Sequence, residues 1–150
     1  MILFLDFDGV LHPEPCYDKE QFFCCLLQLE NVLLDFPAVD IVVTSTWRET
    51  RTLAELRAFF STKIGKRIVG ATPSWKDHQN LFESIGYQRQ TEIEAWLRPS
   101  SEPWRSWVAV DDKPYLFKPF LPNLVKTASN IGFELNTELI LRQKLMTREI

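Results

Sequence analysis

The sequence is poor in cysteine and histidine, the residues that build disulfide frameworks and zinc sites. Its three cysteines, Cys16, Cys24 and Cys25, are odd in number and show no CxxC spacing, so neither a disulfide framework nor a zinc site is expected. The two histidines, His12 and His78, stand alone without metal-ligand spacing. A reducing compartment is therefore expected, and we predict a cytoplasmic location.

A long apolar stretch and an excess of positive charge are also absent. No apolar run approaches the roughly 20 residues that cross a bilayer. The N-terminal run 1–5 is followed at once by Asp6 and Asp8, which predicts neither a signal peptide nor a membrane anchor. The formal net charge of −3 argues against a broad basic face for nucleic acid, but it is compatible with a local phosphate site.

The chain has the length and composition of one folded domain. With 150 residues, 45% of them hydrophobic and 25% charged, it can bury a substantial core. It contains no internal repeat and no low-complexity tract. We therefore expect a single domain over residues 1–150.

Short apolar runs alternate with helical patterns along the chain. Strands are predicted at residues 2–5, 39–43, 67–69, 107–110 and 124–127. Helices are predicted from Asp18 to Phe36, after the Thr52 and Thr91 capping boxes, and over 137–146, with a loop and a short helix at 70–86. This alternation predicts a three-layer α/β/α sandwich around a mainly parallel, Rossmann-like sheet.

Polar side chains follow three of the predicted strands. In open α/β sheets, ligands bind outside the carboxyl ends of the strands, so we expect these side chains to share one site. They are Asp6 and Asp8 after the first strand, Thr44 and Ser45 after the second, and Asp111 and Asp112 after the fourth.

Four segments of the chain resemble, in order, the four motifs of the haloacid dehalogenase (HAD) superfamily. The segment 6–11, DFDGVL, resembles the first motif, and the apolar strand ending in Thr44 and Ser45 resembles the second. Arg89 stands for the basic residue of the third, and the strand ending in the acidic pair 111–112 resembles the fourth. The stretches LFLDFDGVLHP, TSTWRE and RQTEIEAWL resemble a group of small HAD domains, some of them associated with RNA-repair proteins.

The resemblance implies a Mg²⁺-dependent phosphatase that forms an aspartyl-phosphate. Asp6 would be the nucleophile, and Asp8 would be the general acid and base, a role that calls for a raised pKa. The direct metal ligands would be the Asp6 carboxylate, the Asp8 backbone carbonyl and the Asp112 carboxylate. Asp111 would act through a water or orient its neighbour.

The resemblance also implies which groups hold the phosphate. Either Thr44 or Ser45 would hydrogen-bond it. The end of the apolar run favours Thr44 as the second-motif residue, whereas the following Trp-Arg pair favours Ser45. Arg89 would stabilise the phosphoryl charge, with Lys76 as the alternative cation.

Gly9 and Arg48 are predicted to contact substrate, although for Arg48 the favoured alternative is a surface ion pair with a nearby carboxylate such as Glu49. Residues 12–17 and 70–87 leave no room for a cap domain, which predicts an open site. An open site suits a large phosphorylated substrate, such as a nucleic-acid end or a phosphoprotein, or else closure by another subunit, although no obligate protein partner is evident. The alternatives are a catalytically silent phosphate- or metal-binding module, a phosphoacceptor signalling domain and a phosphomutase.

Overall fold

The sheet consists of five parallel strands in the order β3-β2-β1-β4-β5. The computed structural model describes residues 1–147. The strands are β1 (Ile2–Leu5), β2 (Asp40–Val43), β3 (Ile68–Ala71), β4 (Trp107–Asp111) and β5 (Leu124–Lys126). The predicted parallel sheet is confirmed, and all five strands begin within one residue of the predicted start.

The central strand β1 is buried on both faces because it carries apolar side chains at every position. Leu3 and Leu5 point into one core, whereas Ile2 and Phe4 point into the other. The register pairs Leu5 with Val43 of β2 and with Val110 of β4, so these three strands end at one level.

Helices cover both faces of the sheet, which confirms the predicted three layers. They are α1 (Leu26–Asp35), α2 (Leu53–Ala58), α3 (Thr62–Gly65), α4 (Gln79–Ile85), α5 (Gln88–Leu97) and α6 (Leu135–Met146). Helices α1, α2, α3 and α6 contribute apolar side chains to the first core. Helix α5 contributes Ile93 and Leu97 to the second, and α4 packs on α5.

The first helix begins later than predicted. Asp18 does cap a helical turn, but this is a short 3-10 turn, Lys19–Gln21, in which Asp18 accepts from the N–H of Glu20 at 3.0 Å. Phe23 then adopts a φ of +62°, and a left-handed residue cannot continue a right-handed helix. The regular helix therefore starts only at Leu26.

The capping box predicted at Thr91 is also wrong, although the same spacing at Thr52 does cap α2 with a 3.2 Å bond from the N–H of Glu55. Helix α5 starts at Gln88, with its N-cap at Tyr87, four residues before Thr91, and the hydroxyl of Thr91 donates back to the carbonyl of Tyr87 at 2.7 Å. Arg89 therefore lies inside the first turn of α5 and not before the helix.

No cap domain is inserted within residues 1–147. Only a 3-10 turn and α1 separate β1 from β2, and only a 3-10 turn (Trp75–Asp77) and α4 separate β3 from α5. The carboxyl edge of the sheet consequently stays uncovered. No helix in this part of the chain is long and apolar enough to cross a membrane.

Candidate active site

A polar cleft of about 470 Å³ lies at the carboxyl ends of the central strands. Its walls come from the loops after β1, β2, β3 and β4 and from the first turns of α5. The lining residues are Asp6, Asp8, Glu14, Thr46, Arg48, Glu49, Trp75, Lys76, Gln88, Arg89, Glu92, Lys113, Tyr115 and Leu116.

Three buried carboxylates meet at the base of this region. Asp6 follows β1, Asp111 ends β4 and Asp112 comes directly after it, so the pairing of these two strands brings the three residues together. One oxygen from each carboxylate lies within 4.8 Å of the other two. Oxygen ligands at this spacing suit a hard divalent cation such as Mg²⁺. The predicted metal residues Asp6 and Asp112 are therefore neighbours, and Asp111 joins the same cluster.

Burial and mutual charge disfavour the ionised forms of two carboxylates of the cluster, Asp6 and Asp111. Burial, followed by the charge of Asp111, raises the pKa of Asp6 well above its usual value. Burial likewise raises the pKa of Asp111 to about 6, against the lowering effect of Arg89. Positive charge near Asp6 and Asp111 favours their ionised forms, as Arg89 already does, and a bound divalent cation would add to this effect.

One hydroxyl group and one ammonium group hydrogen-bond the Asp112 carboxylate. Its Oδ2 accepts from Ser129 Oγ at 2.7 Å and from Lys113 Nζ at 3.1 Å. Lys113 also pairs with Glu14 in the loop after β1. Sequence reasoning missed Lys113, although its place directly after the acidic pair was a usable signal.

Gly9 lies behind Asp112 and does not line the cleft. Its φ is +74°, and its carbonyl accepts from the Thr127 hydroxyl at 2.7 Å. The structure thus gives Gly9 a role in chain geometry, and its predicted contact with substrate stays a prediction.

Arg89 is the cation that the structure places beside Asp6. Its side chain is buried, its Nε donates to Asp111 at 3.0 Å, and its Nη1 contacts the Thr44 carbonyl and Glu92. Its Nη2 lies 4.0 Å from Asp6 Oδ1 and points at no other carboxylate of the described residues. Lys76, the alternative, is exposed at the rim of the cleft.

Asp8 is a half-buried carboxylate that is hydrogen-bonded by two side chains. Its Oδ1 accepts from His12 Nε2 at 2.8 Å, and the indole N–H of Trp47 bonds both oxygens at 3.0 and 3.1 Å. The hydrogen bond from His12 is the main reason that the pKa of Asp8 lies below its usual value. The expected raised pKa is therefore wrong, because donors from the protein outweigh partial burial.

The hydroxyl residues after β2 are placed differently from one another. Thr44 and Ser45 are buried, and Ser45 Oγ accepts from the N–H of Trp47 at 3.3 Å, which caps a 3-10 turn (Thr46–Glu49). Neither lines the cleft, whereas the exposed Thr46 does. Phosphate binding by Thr44 or Ser45 stays a prediction, and Thr46 is a further hydroxyl that sequence reasoning missed.

Arg48 lines the cleft but is largely tied to the protein. Its Nε donates to the Thr72 carbonyl at 2.8 Å, and its Nη2 pairs with Glu92 at 2.8 Å, where both side chains are buried. The predicted ion pair with a carboxylate therefore forms, but with Glu92 and not with Glu49, and it is buried and not at the surface, because the guanidinium turns inward toward α5. Glu92 joins Arg48 to Arg89, and its position three residues after Arg89 in the helix was the only sequence signal for it.

The chain matches no curated protein and no solved structure. A family model matches residues 2–137, a range that contains all four motif-like segments and every element down to the start of α6. Its description is the HAD domain in Swiss Army Knife RNA repair proteins. Since the match covers most of the chain, this protein belongs to that family of HAD domains.

Proposed function

We propose that this protein is a Mg²⁺-dependent phosphatase that hydrolyses a phosphomonoester through an aspartyl-phosphate on Asp6. The observation that carries the proposal is the surroundings of Asp6. Its carboxylate lines the cleft, lies 4.0 Å from Arg89 Nη2 and shares a cluster with Asp111 and Asp112. A carboxylate, a guanidinium and a cluster of acidic oxygens thus lie together, which supports the roles of nucleophile, phosphoryl-binding cation and metal ligands that we assign to them.

The carboxylates of Asp6 and Asp112, with the backbone carbonyl of Asp8, would hold Mg²⁺. Asp111 fits an orienting role, because its two oxygens already accept from Arg89 Nε and from the N–H of Lys113. When bound, Mg²⁺ supplies positive charge that lets a phosphate approach these carboxylates. Lys113, which contacts Asp112, adds a second positive charge on the same side.

In the first half of the reaction, an Asp6 oxygen attacks phosphorus and the bond to the leaving oxygen breaks. Asp8, which is 33% exposed and takes up a proton from solvent, donates this proton to that oxygen, so the leaving group departs as an alcohol. Arg89 Nη2 donates to a phosphoryl oxygen, where negative charge is concentrated in the transition state. Its other contacts, to Asp111 and Glu92, hold the guanidinium in place.

In the second half, water attacks the phosphorus of the aspartyl-phosphate, and Asp8 takes the proton from that water. The phosphorus–oxygen bond to Asp6 breaks, which restores the carboxylate and releases inorganic phosphate. The donors around Asp8 favour its carboxylate form, and this form is the base that the second half requires.

The substrate that we propose is the phosphorylated end of a polynucleotide. The uncovered cleft admits a bulky molecule, and its rim carries the half-buried ring of Trp75, the exposed ring of Tyr115 and the ammonium of Lys76. Aromatic rings stack on bases and lysines pair with phosphates. The family description, which names RNA repair, supports the same class.

Phosphate release from p-nitrophenyl phosphate, with and without Mg²⁺, tests the activity. We expect Mg²⁺-dependent turnover that Asp6→Asn abolishes and Asp35→Asn leaves intact. Asp35 is a matched control because it ends α1, makes only an exposed ion pair with Arg142 and lies outside the cleft. Absence of turnover by the wild-type protein on any phosphomonoester would favour the silent binding module instead.

A panel of phosphorylated RNA and DNA ends, phosphopeptides and sugar phosphates tests the substrate class. We expect the highest kcat/KM on a polynucleotide end. A higher kcat/KM on phosphopeptides would contradict the polynucleotide proposal but would leave the proposed role of Asp6 as nucleophile unaffected.

A further inference from the structure

Two donors from separate elements, one buried and one partly buried, converge on the Asp8 carboxylate. His12, four residues further along the chain, contributes Nε2 at 2.8 Å, and Trp47, from the turn after β2, contributes its indole N–H. His12 is only 1% exposed, whereas the Asp8 side chain is 33% exposed and lines the cleft. A carboxylate that water can reach needs no protein donors for its solvation, so the donors serve its position.

The backbone N–H of Phe23 fixes the tautomer of His12. This N–H lies 3.4 Å from His12 Nδ1, and because a backbone N–H can only donate, Nδ1 must be the acceptor. The proton of the neutral ring is then on Nε2, which faces Asp8. The imidazole therefore donates to the carboxylate and does not accept from it.

Phe23 reaches this position in an unfavourable backbone conformation. Its φ of +62° is rare for a bulky residue and is retained in folded proteins where the surroundings enforce it, often at functional sites. Its ring stacks on Phe59 at 4.6 Å, which anchors it. The same conformation that interrupts the predicted helix thus directs an N–H at His12.

Aromatic packing prevents the two donors from turning away. Phe7, Phe23 and Phe59 surround the Trp47 ring with centroids 5.3 to 5.7 Å away, and the ring of Phe22 lies 4.9 Å from that of His12. Rings held on several sides in this way keep one rotamer.

We propose that His12 and Trp47 are positioning residues that fix Asp8 for proton transfer to and from the substrate. The inference rests on the proposed phosphatase function. Oδ1 of Asp8 accepts from both donors, whereas Oδ2 accepts only the shared bond from the indole. Oδ2 is therefore the oxygen that exchanges the proton, first with the leaving oxygen and then with the attacking water.

A leaving-group series tests this role. Protonation by Asp8 matters little when the leaving group is an acidic nitrophenol and strongly when it is phenol or an alcohol. We expect Trp47→Phe and His12→Leu to retain most of kcat/KM on p-nitrophenyl phosphate. On phenyl phosphate they should lose about 10- to 100-fold, the range that follows from removing partners behind a reacting group. His12→Gln, which returns an N–H near Nε2, should recover part of the loss.

An equal loss of kcat/KM on every substrate of the series would overturn the inference, because a general structural defect does not depend on the leaving group. No loss on any substrate would overturn it as well. Asp8→Asn in the same series shows how strongly kcat/KM depends on the acidity of the leaving group when proton transfer by Asp8 is lost entirely.

Nuclear magnetic resonance separates the inference from the proposed function. In the wild-type protein we expect the proton of His12 on Nε2, and we expect the indole proton resonance of Trp47 to move in Asp8→Asn. A proton on Nδ1, or an unchanged indole resonance, would contradict the positioning role even in an active enzyme. If the wild-type protein hydrolyses no phosphomonoester, the phosphatase function fails and the catalytic part of the inference fails with it.

Discussion

Gly9 backs directly onto the carboxylate of Asp112. A Cβ built on Gly9 would lie 2.2 Å from Asp112 Oδ2, far inside van der Waals contact, and the φ of Gly9 is +74°. We expect Gly9→Ala to displace Asp112 and weaken Mg²⁺ binding about tenfold or more, as disturbed metal ligation does. Calorimetric titration with Mg²⁺ measures the effect.

Gly86→Ala is the matched control for that variant. Gly86 has a φ of +80° but no atom within 4 Å of its Cβ position, so it shares the backbone strain without the contact. Both variants should lose about 1 to 2 kcal/mol of stability from the left-handed conformation. Equal Mg²⁺ affinity in the two variants would show that the contact with Asp112 is unimportant.

The meeting of Asp6 with Asp111 and Asp112 could be predicted from sequence because it depends on strand order and strand ends alone. Each carboxylate follows a continuous apolar run, and parallel strands deliver such residues to one edge of the sheet. Arg89 could be predicted only through the resemblance to the superfamily, since a lone arginine in a helical pattern has no distinguishing spacing.

The partners of these groups could not be predicted, because they depend on side-chain directions in three dimensions. His12 looked isolated in the sequence, but the turn after Asp8 brings the two side chains together. Arg48 and Glu92 are far apart along the chain and meet only when α5 packs beside the loop after β2. Thr91 has the spacing of a capping box, yet tertiary packing starts the helix at Gln88.

Mg²⁺ should stabilise the protein more at about pH 7.5 than at about pH 5, because protons compete with the metal for the carboxylates. The pKa of Asp6 is raised in the folded protein, and that of Asp111 is raised from 3.8 to about 6, mainly by burial. The stability that these groups contribute without metal is complete below their unfolded-state pKa and is lost as pH rises through the folded-state pKa.

Melting curves with Mg²⁺ and with chelator at both pH values measure this difference. The Tm gained from Mg²⁺ should grow as pH rises through about 6, the folded-state pKa of Asp111. Sodium chloride at matched ionic strength is the control. A gain that is the same at both pH values would mean that protonation of Asp6, the proposed ligand, and of its neighbour Asp111 does not affect metal binding.

Arg48→Ala should destabilise the fold by about 3 to 5 kcal/mol, the usual consequence of leaving one partner of a buried ion pair alone. The guanidinium bonds the Thr72 carbonyl and pairs with Glu92, and both side chains of the pair are buried. Urea unfolding measures the change. Arg98→Ala, which removes an exposed pair with Glu94, should change stability by less than about 1 kcal/mol. Similar losses of stability in the two variants would contradict a stabilising role for the buried Arg48–Glu92 pair.

Arg89 and Lys76 are the two candidate cations for the phosphoryl group. Their surroundings predict that substituting them lowers phosphatase activity to different extents. Arg89 is buried and directs Nη2 at Asp6 from 4.0 Å, whereas Lys76 is exposed at the rim. We expect Arg89→Lys to lower kcat by about 10²- to 10³-fold, as removal of a transition-state donor does. The ammonium keeps the charge but cannot reach Asp111, Glu92 and the phosphate together.

Lys76→Ala should instead lower kcat/KM only a few-fold, because an exposed ammonium interacts weakly with an anion in water. Steady-state kinetics on p-nitrophenyl phosphate separates the two, since a lost transition-state contact lowers kcat and a lost rim contact raises KM. Raising the salt concentration should shrink the effect of Lys76→Ala and leave that of Arg89→Lys unchanged, because buried charges are screened little. If Lys76→Ala abolished turnover while Arg89→Lys remained active, the third motif would have to be reassigned to Lys76, and Arg89 would hold Asp111 and Glu92 together without touching the phosphate.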